Sequence, residues 1–229
     1  MIIVYSGPVS WFSRKVEIVL REKALVFEQR LVPFSQTHGY FDKPQDVVRI
    51  NPKRQVPVLV DNGLELYDST VNCEYLEDAH PLPRLLPADP AARARCRQWD
   101  VFADEVMLEP IRKLMHRTEP HDHASERWQA LEETAKGALP AIAGHFDRIE
   151  LALRGSDNLC GSFSLADIAV FMAVFWNNRL GGQAMGGRTN LRRWYRAFAA
   201  RPAVAVAIQE ISEQDKRLSA SVRGAFADC

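Results

Sequence analysis

Apolar and polar positions change period several times along the first third of the chain. Ile2 to Ser6 reads as a short strand that Gly7-Pro8 breaks. Val16, Val19, Leu20 and Lys23 then follow helical spacing, and a second strand is predicted near Phe27 to Leu31, giving a β-α-β unit. A looser segment runs from Pro33 to Ile50. Beyond it, Val56 to Val60 is rich in β-branched residues and Leu64 to Tyr67 alternates, so both read as strands. Between them Asp61-Asn62-Gly63 supplies residues that tolerate positive φ, as a tight hairpin requires. Asp68-Ser69 then precedes Val71, Tyr75 and Leu76 at helical spacing, which marks a helix start.

After His80-Pro81-Leu82-Pro83, a proline-punctuated connector runs to Pro90 and strand signals end. Ala135, Leu139, Ile142, Phe146, Ile149 and Leu153 alternate steps of four and three, an apolar stripe on one helix face. Pro140 falls inside that stripe and predicts a kink or break. Ser164 and Asp167 have the spacing of a reciprocal capping box ahead of the apolar run Ile168 to Trp176, the expected centre of a helical domain. Trp194, Phe198 and the Arg201-Pro202 stop mark one more helix, with an amphipathic tail after it. The expectation is an α/β domain over residues 1–80, a linker over 81–89 and an all-α domain over 90–229.

The chain of 229 residues carries 29 Lys+Arg against 29 Asp+Glu, so its net charge gives no argument for nucleic acid or an anionic membrane as partner. The apolar run at Ile168 is far short of the roughly 20 residues that span a bilayer. The amino terminus lacks a basic leader followed by a long apolar segment, so no secretory signal is expected. Cys73, Cys96, Cys160 and Cys229 are too widely spaced for a zinc site or a disulfide scaffold, which fits a reducing cytoplasm.

Candidate chemistry gathers at two places. Ser10-Trp11-Phe12-Ser13 lies between the first strand and the first helix, where a helix amino terminus favours an anion. A hydroxyl there either caps the helix or donates to a bound thiolate, lowering a thiol pKa from its ordinary value of about 8.5. The second place is the Ile50 to Asp78 block. Pro57 heads a strand, and a cis bond before it would leave the Val56 backbone free to pair with a peptide-like ligand, although trans is the default for X-Pro. Asp68, Ser69 and the first-turn N–H groups converge on a spot suited to an α-amino acid group. Other signals carry less. Gly182 to Thr189 lacks the strand and lysine of a phosphate loop and reads as an interhelical loop. His116, His121 and His123 read as a solvated polar loop and not as a metal site. Met107, Ile111, Leu114 and Met115 are either core or, with Trp11 and Phe12, an apolar pocket beside Ser10.

Several segments together resemble the cytosolic glutathione transferases over nearly the full length. These are Tyr5-Ser6-Gly7-Pro8 leading to Ser10 and Ser13-Arg14-Lys15-Val16, Asn51-Pro52 before Gln55-Val56-Pro57, Asp68-Ser69 ahead of Glu74-Tyr75-Leu76, and Phe163-Ser164-Leu165-Ala166-Asp167. The resemblance implies a thioredoxin-like first domain and a helical second one. It implies that Ser10 stabilises the thiolate of glutathione and that Gln55 contacts its glycyl carboxylate. Val56 would pair with the cysteinyl unit ahead of a cis Pro57, and Asp68 and Ser69 would hold the γ-glutamyl end. Tyr5 is the rival to Ser10, since some members use a tyrosine at the end of the first strand; the helix-terminus argument favours Ser10. Ser10 and Ser13 stand where thiol-disulfide relatives carry cysteines, which excludes a two-cysteine cycle.

Two departures stand out: Arg54 where many relatives have glycine, and Asp68 where glutamate is common. The implied protein is a cytoplasmic, homodimeric detoxifying transferase. It would use glutathione as cosubstrate and no metal, and act on a small hydrophobic electrophile by conjugation, ether cleavage, dehalogenation or isomerisation. The stretch STVNCEYLED is similar to bacterial β-etherases. The alternative is a non-catalytic protein of the same fold, of the stringent-starvation type.

Overall fold

The computed structural model describes residues 1–227, so Cys229 lies outside it. The described chain forms two compact units, Met1–Leu86 with Pro202–Leu218, and Pro87–Arg201 with the segment from Ser219 onward.

In the first unit, β1 (Ile2–Ser6), α1 (Trp11–Glu22) and β2 (Phe27–Leu31) form the expected β-α-β element, with β1 and β2 parallel. The looser segment holds a two-residue hairpin, β3 (Phe34–Ser35) with β4 (Gly39–Tyr40), and the short helix α2 (Gln45–Ile50). Strands β5 (Val58–Asp61) and β6 (Leu64–Tyr67) are antiparallel and precede α3 (Ser69–Ala79). Asn62 and Gly63 turn the hairpin with φ of 48° and 89°, the positive values a two-residue turn demands. The sheet order β2-β1-β5-β6, with β5 antiparallel to β1, is thioredoxin-like. Tyr5, Val32, Val47, Val56 and Val58 pack together as one buried cluster.

Helix α1 is buried beyond its predicted stripe. Val16, Ile18, Val19 and Leu20 are fully buried, and so, within 1%, are Arg14, Lys15 and Glu17. Buried charges persist only when paired. Arg14 bonds Glu17 at 2.6 Å and also meets Glu210 of α9 (Pro202–Leu218), to which Arg21 adds a 2.7 Å bridge. These ion pairs help to fasten α9 onto α1 within this unit. At the far end of α1, Lys23 meets Glu77 of α3 at 2.6 Å and donates to the carbonyls of His80 and Pro83; Glu77 also accepts the N–H groups of Leu85 and Leu86.

The second unit is helical: α4 (Pro90–Val101), a π-helical turn (Phe102–Met107), α5 (Leu108–Arg112), a 3-10 turn (Met115–Thr118), α6 (Glu126–Ala152), α7 (Leu165–Arg179) and α8 (Thr189–Ala199). Helix α6 runs unbroken through Pro140, so the expected break does not occur. The Pro140 ring faces solvent, while Ala135, Ala138, Ile142, Phe146 and Ile149 hold the buried face across it; one missing N–H does not outweigh that packing. Helix α7 is buried along all of its length. Its capping carboxylate, Asp167, accepts from the N–H and hydroxyl of Ser164, the N–H of Leu159 and the indole N–H of Trp194, all at about 3 Å. Burial pushes this carboxyl above its ordinary value, and those donors oppose the shift.

The Lys23–Glu77 pair supplies a direct test. Lys23→Ala strands a buried carboxylate, and two-state denaturant unfolding is expected to show a loss of about 3–5 kcal/mol. A loss under about 1 kcal/mol, the scale of a surface pair, would show that the bridge is not structural.

Candidate functional site

The register of the sheet brings the separated candidate segments to one edge. Tyr5 of β1 stands opposite Val58 of β5, and Val58 opposite Tyr67 of β6. The chain therefore leaves β1 toward Ser10, enters β5 through Val56-Pro57, and leaves β6 into Asp68-Ser69, all at the same end. Neighbouring strands lie about 4.8 Å apart, so β1 to β6 spans about 10 Å. Three extended residues cover roughly the same distance.

Ser10 is the N-cap of α1. Its Oγ accepts the N–H of Ser13 at 3.2 Å. The cap uses a lone pair, so the Ser10 hydroxyl proton is not consumed, and it has no acceptor among the described residues. The two sequence readings of Ser10, cap and outward donor, are thus compatible. Ser13 turns the other way, accepting the Gly7 N–H at 3.1 Å. Trp11 is buried, and its ring stacks on Phe12 at 5.9 Å.

The middle of the edge is a shaped turn. Asn51 donates to the Gln55 carbonyl at 2.7 Å and accepts the Lys53 N–H at 2.9 Å, while Arg54 sits at φ 53°. The Val56–Pro57 bond is cis, both residues are buried, and the Gln55 side chain is exposed. At the far end, Asp68 has φ 75° and caps α3 by accepting the N–H groups of Thr70 and Val71 at 3.0 and 3.4 Å through one oxygen, leaving its second oxygen outside the cap. Ser69 is 4% exposed, and its hydroxyl has no partner among the described residues. Lys15, which sequence reasoning did not single out, bonds Thr70 Oγ1 at 3.1 Å and brings a cation to the first turn of α3. Its position in α1 carries no local signal of this, because Thr70 lies 55 residues away.

Tyr5 is occupied. Its hydroxyl donates to Asp46 at 2.5 Å and accepts from Arg30 at 2.9 Å. Burial and the Asp46 bond push the phenol above its usual value, with Arg30 opposing. A phenol so held is a poor donor to a second anion. Met107, Ile111 and Leu114 are fully buried; the π-helical turn that carries Met107 packs against α7, and α5, which carries Ile111, packs against α6 and α7.

The description "Glutathione S-transferase, N-terminal domain" matches residues 4–84, and "Glutathione S-transferase, C-terminal domain" matches residues 106–202. Protein LigF of Sphingobium sp. is 31% identical over 90% of this chain and 90% of its own. The chain belongs to the glutathione S-transferase family. The crystal structure of β-etherase LigF superposes with a TM-score of 0.74 at 27% identity, covering 91% of this chain and 99% of that one. A Methylobacillus flagellatus glutathione S-transferase crystallised with glutathione bound gives 0.74 at 26% identity, covering 90% and 98%. A stringent starvation protein A homolog of Coxiella burnetii is 39% identical over 41% of this chain, a match that spans 42% of that protein. Within the glutathione S-transferase fold, Arg54 holds a positive φ, a region that glycine adopts without a steric penalty, which agrees with the glycine that the family resemblance leads one to expect there.

The Tyr5 bond, followed by Arg49, holds the Asp46 carboxyl below the usual range. A carboxylate lowered in the folded state adds stability above its unfolded pKa, and that stability is lost as pH falls through the lower folded value. In a carbonyl-detected NMR titration of this transferase-family chain, Asp46 is expected to titrate below an ordinary Asp and to move up toward it in Tyr5→Phe. An unmoved Asp46 would mean that the phenol is not its main donor.

Proposed function

We propose that this chain is a serine-type glutathione transferase that lays glutathione along the sheet edge and activates its sulfur with Ser10. The observation that carries the reading is the Ser10 hydroxyl, anchored by its lone pair at an α-helix amino terminus with its proton free. In this reading the thiolate accepts that proton in a hydrogen bond and lies at the positive end of α1, so both terms favour ionisation. Val56 pairs its backbone with the cysteinyl unit, as an added strand would. Asp68 meets the γ-glutamyl ammonium and Ser69 its carboxylate, while Gln55 reaches the glycyl end. In this reading Pro57, directly ahead of β5, leaves the Val56 backbone free to pair with the ligand. The family membership, the engagement of Tyr5 elsewhere and the contiguity of these residues support this assignment.

The bound thiolate would attack an electrophilic carbon of a small hydrophobic substrate. A C–S bond forms as the bond to the leaving group breaks, and the leaving group departs with the electron pair. The extent of the similarity to LigF supports an aryl-ether substrate class. The reading includes a homodimer working in the cytoplasm. The alternative, a binding protein of the stringent-starvation type, draws on the Coxiella burnetii match and predicts no turnover.

Hydrogen bonds to a charged group contribute about 1.5–3 kcal/mol, so Ser10→Ala is expected to lower turnover with an aromatic electrophile about 10- to 150-fold. The calorimetric affinity for glutathione should stay close to wild type. The thiolate absorbance of bound glutathione should develop at higher pH in Ser10→Ala and be unmoved in Tyr5→Phe. Equal rates in wild type and Ser10→Ala would reject the serine mechanism, and no glutathione binding at millimolar concentration would favour the binding-protein alternative.

A further inference from the structure

The second unit contains a cavity of about 470 Å³ whose walls include Arg117, His121, His123, Trp128, Glu132 and Arg223. Two of these histidines face each other: the Nε2 atoms of His121 and His123 are 3.2 Å apart. His121 Nδ1 lies 2.6 Å from the Glu119 carbonyl, which requires the proton on Nδ1, so the His121 Nε2 lone pair accepts the His123 Nε2–H; a cation between the two rings would take the place of that one proton, with His123 shifting to its Nδ1–H tautomer. The Trp128 indole stacks on His121 at 3.6 Å and meets His123 edge-on at 5.1 Å, so one ring positions both imidazoles.

Two nitrogens each bound at about 2.0–2.1 Å to a tetrahedral Zn²⁺ stand about 3.3–3.4 Å apart. The separation of the His pair matches that spacing to within about 0.2 Å. The Nδ1–H to carbonyl bond is the supporting contact that metal-binding histidines use to fix their tautomer. We propose that His121 and His123 form a bidentate site for one borderline divalent cation of the zinc type, with its remaining positions open to the cavity.

His116 does not belong to the pair. It is buried, and its ring contacts Glu132 and the Lys113 carbonyl. Glu132 also accepts from Arg117 at 2.7 Å, which offsets that guanidinium charge; Arg223 is exposed and screened by solvent. Asp122, between the two histidines, caps its own turn by accepting the Ala124 N–H. No third His, Cys, Asp or Glu among the described residues completes a cluster, so the protein contributes two ligands and water or a small anion supplies the rest. Imidazole donors select zinc, nickel or copper over magnesium and calcium.

The test is a calorimetric titration of the full chain, free of any histidine tag and of glutathione, with zinc chloride. One equivalent should bind. His121→Ala and His123→Gln should each weaken binding about a hundredfold, the upper end of what a supporting ligand contact alone costs. His38→Ala, on the exposed hairpin of the first unit, should leave it unchanged. Copper(II) should quench tryptophan fluorescence in wild type and not in His123→Gln, a variant that keeps the Trp128–His121 stack and whose far-ultraviolet spectrum reports folding. Equal zinc binding by wild type and His123→Gln, or no one-equivalent binding in wild type, would overturn the site.

Discussion

The buried carboxylate of Glu17 is the group on which the first unit depends. Taking a carboxylate out of water costs several kcal/mol unless donors replace the solvent. Here the Ser6 hydroxyl, Arg14 at 2.6 Å and Gln29 at 2.8 Å do so, with Arg21 beside it at 3.6 Å. These donors come from β1, α1 and β2, so satisfying one anion fixes the whole β-α-β element. Arg14 in turn donates to the Pro8 carbonyl at 3.0 Å, within the turn that ends on Ser10. Above that turn, a side chain at Gly7 would meet the Tyr40 hydroxyl at 2.0 Å, so the loop is confined on this side as well. The placement of the Ser10 hydroxyl is therefore a consequence of charge burial two turns away along α1.

The same economy explains why the candidate site lies at a sheet edge. A strand end exposes backbone groups that the ladder does not use, and a helix start exposes N–H groups that the helix does not use. The thioredoxin-like order puts the end of β1, the start of β5 and the end of β6 side by side. Two helix starts, those of α1 and α3, flank one strand start. In the proposed reading, an elongated ligand with an anionic sulfur, a peptide backbone and a zwitterionic end would meet one of these edge groups at each of its parts.

Much of this was legible in the sequence because the signals are local. The Asn62-Gly63 turn, the alternation of β6, the Asp68 cap and the Ser164–Asp167 box all arise from residues within four positions of one another. What escaped was set by distant partners. Nothing in the sequence around Arg14, Lys15 and Glu17 announces their burial, which depends on Glu210, Thr70 and Ser6, 196, 55 and 11 residues away. Tyr5 remained a rival to Ser10 because its occupant, Asp46, lies 41 residues on. At Pro140 the sequence predicts a kink or a break; the break does not occur, because helix packing along α6 outweighs the one missing N–H.

Folded proteins leave few buried polar groups unpaired, so the exceptions mark places where something else is bound or strain is kept. In the first unit the buried charges around α1 are paired, down to bonds from Lys23 to two separate carbonyls, although Arg14 Nε and Arg21 Nη1 are buried without a hydrogen-bond acceptor. Against that background, the low-exposure hydroxyls of Ser10 and Ser69 keep their donors free. Asn72, three residues beyond Ser69 and so on the same face of α3, is fully buried with neither end of its amide paired. A chain that neutralises Glu17 so thoroughly has the means to satisfy a serine. That Ser10 and Ser69 keep free donors at the two ends of one edge about 10 Å long is the physical observation behind the proposed ligand there, and it does not draw on family resemblance.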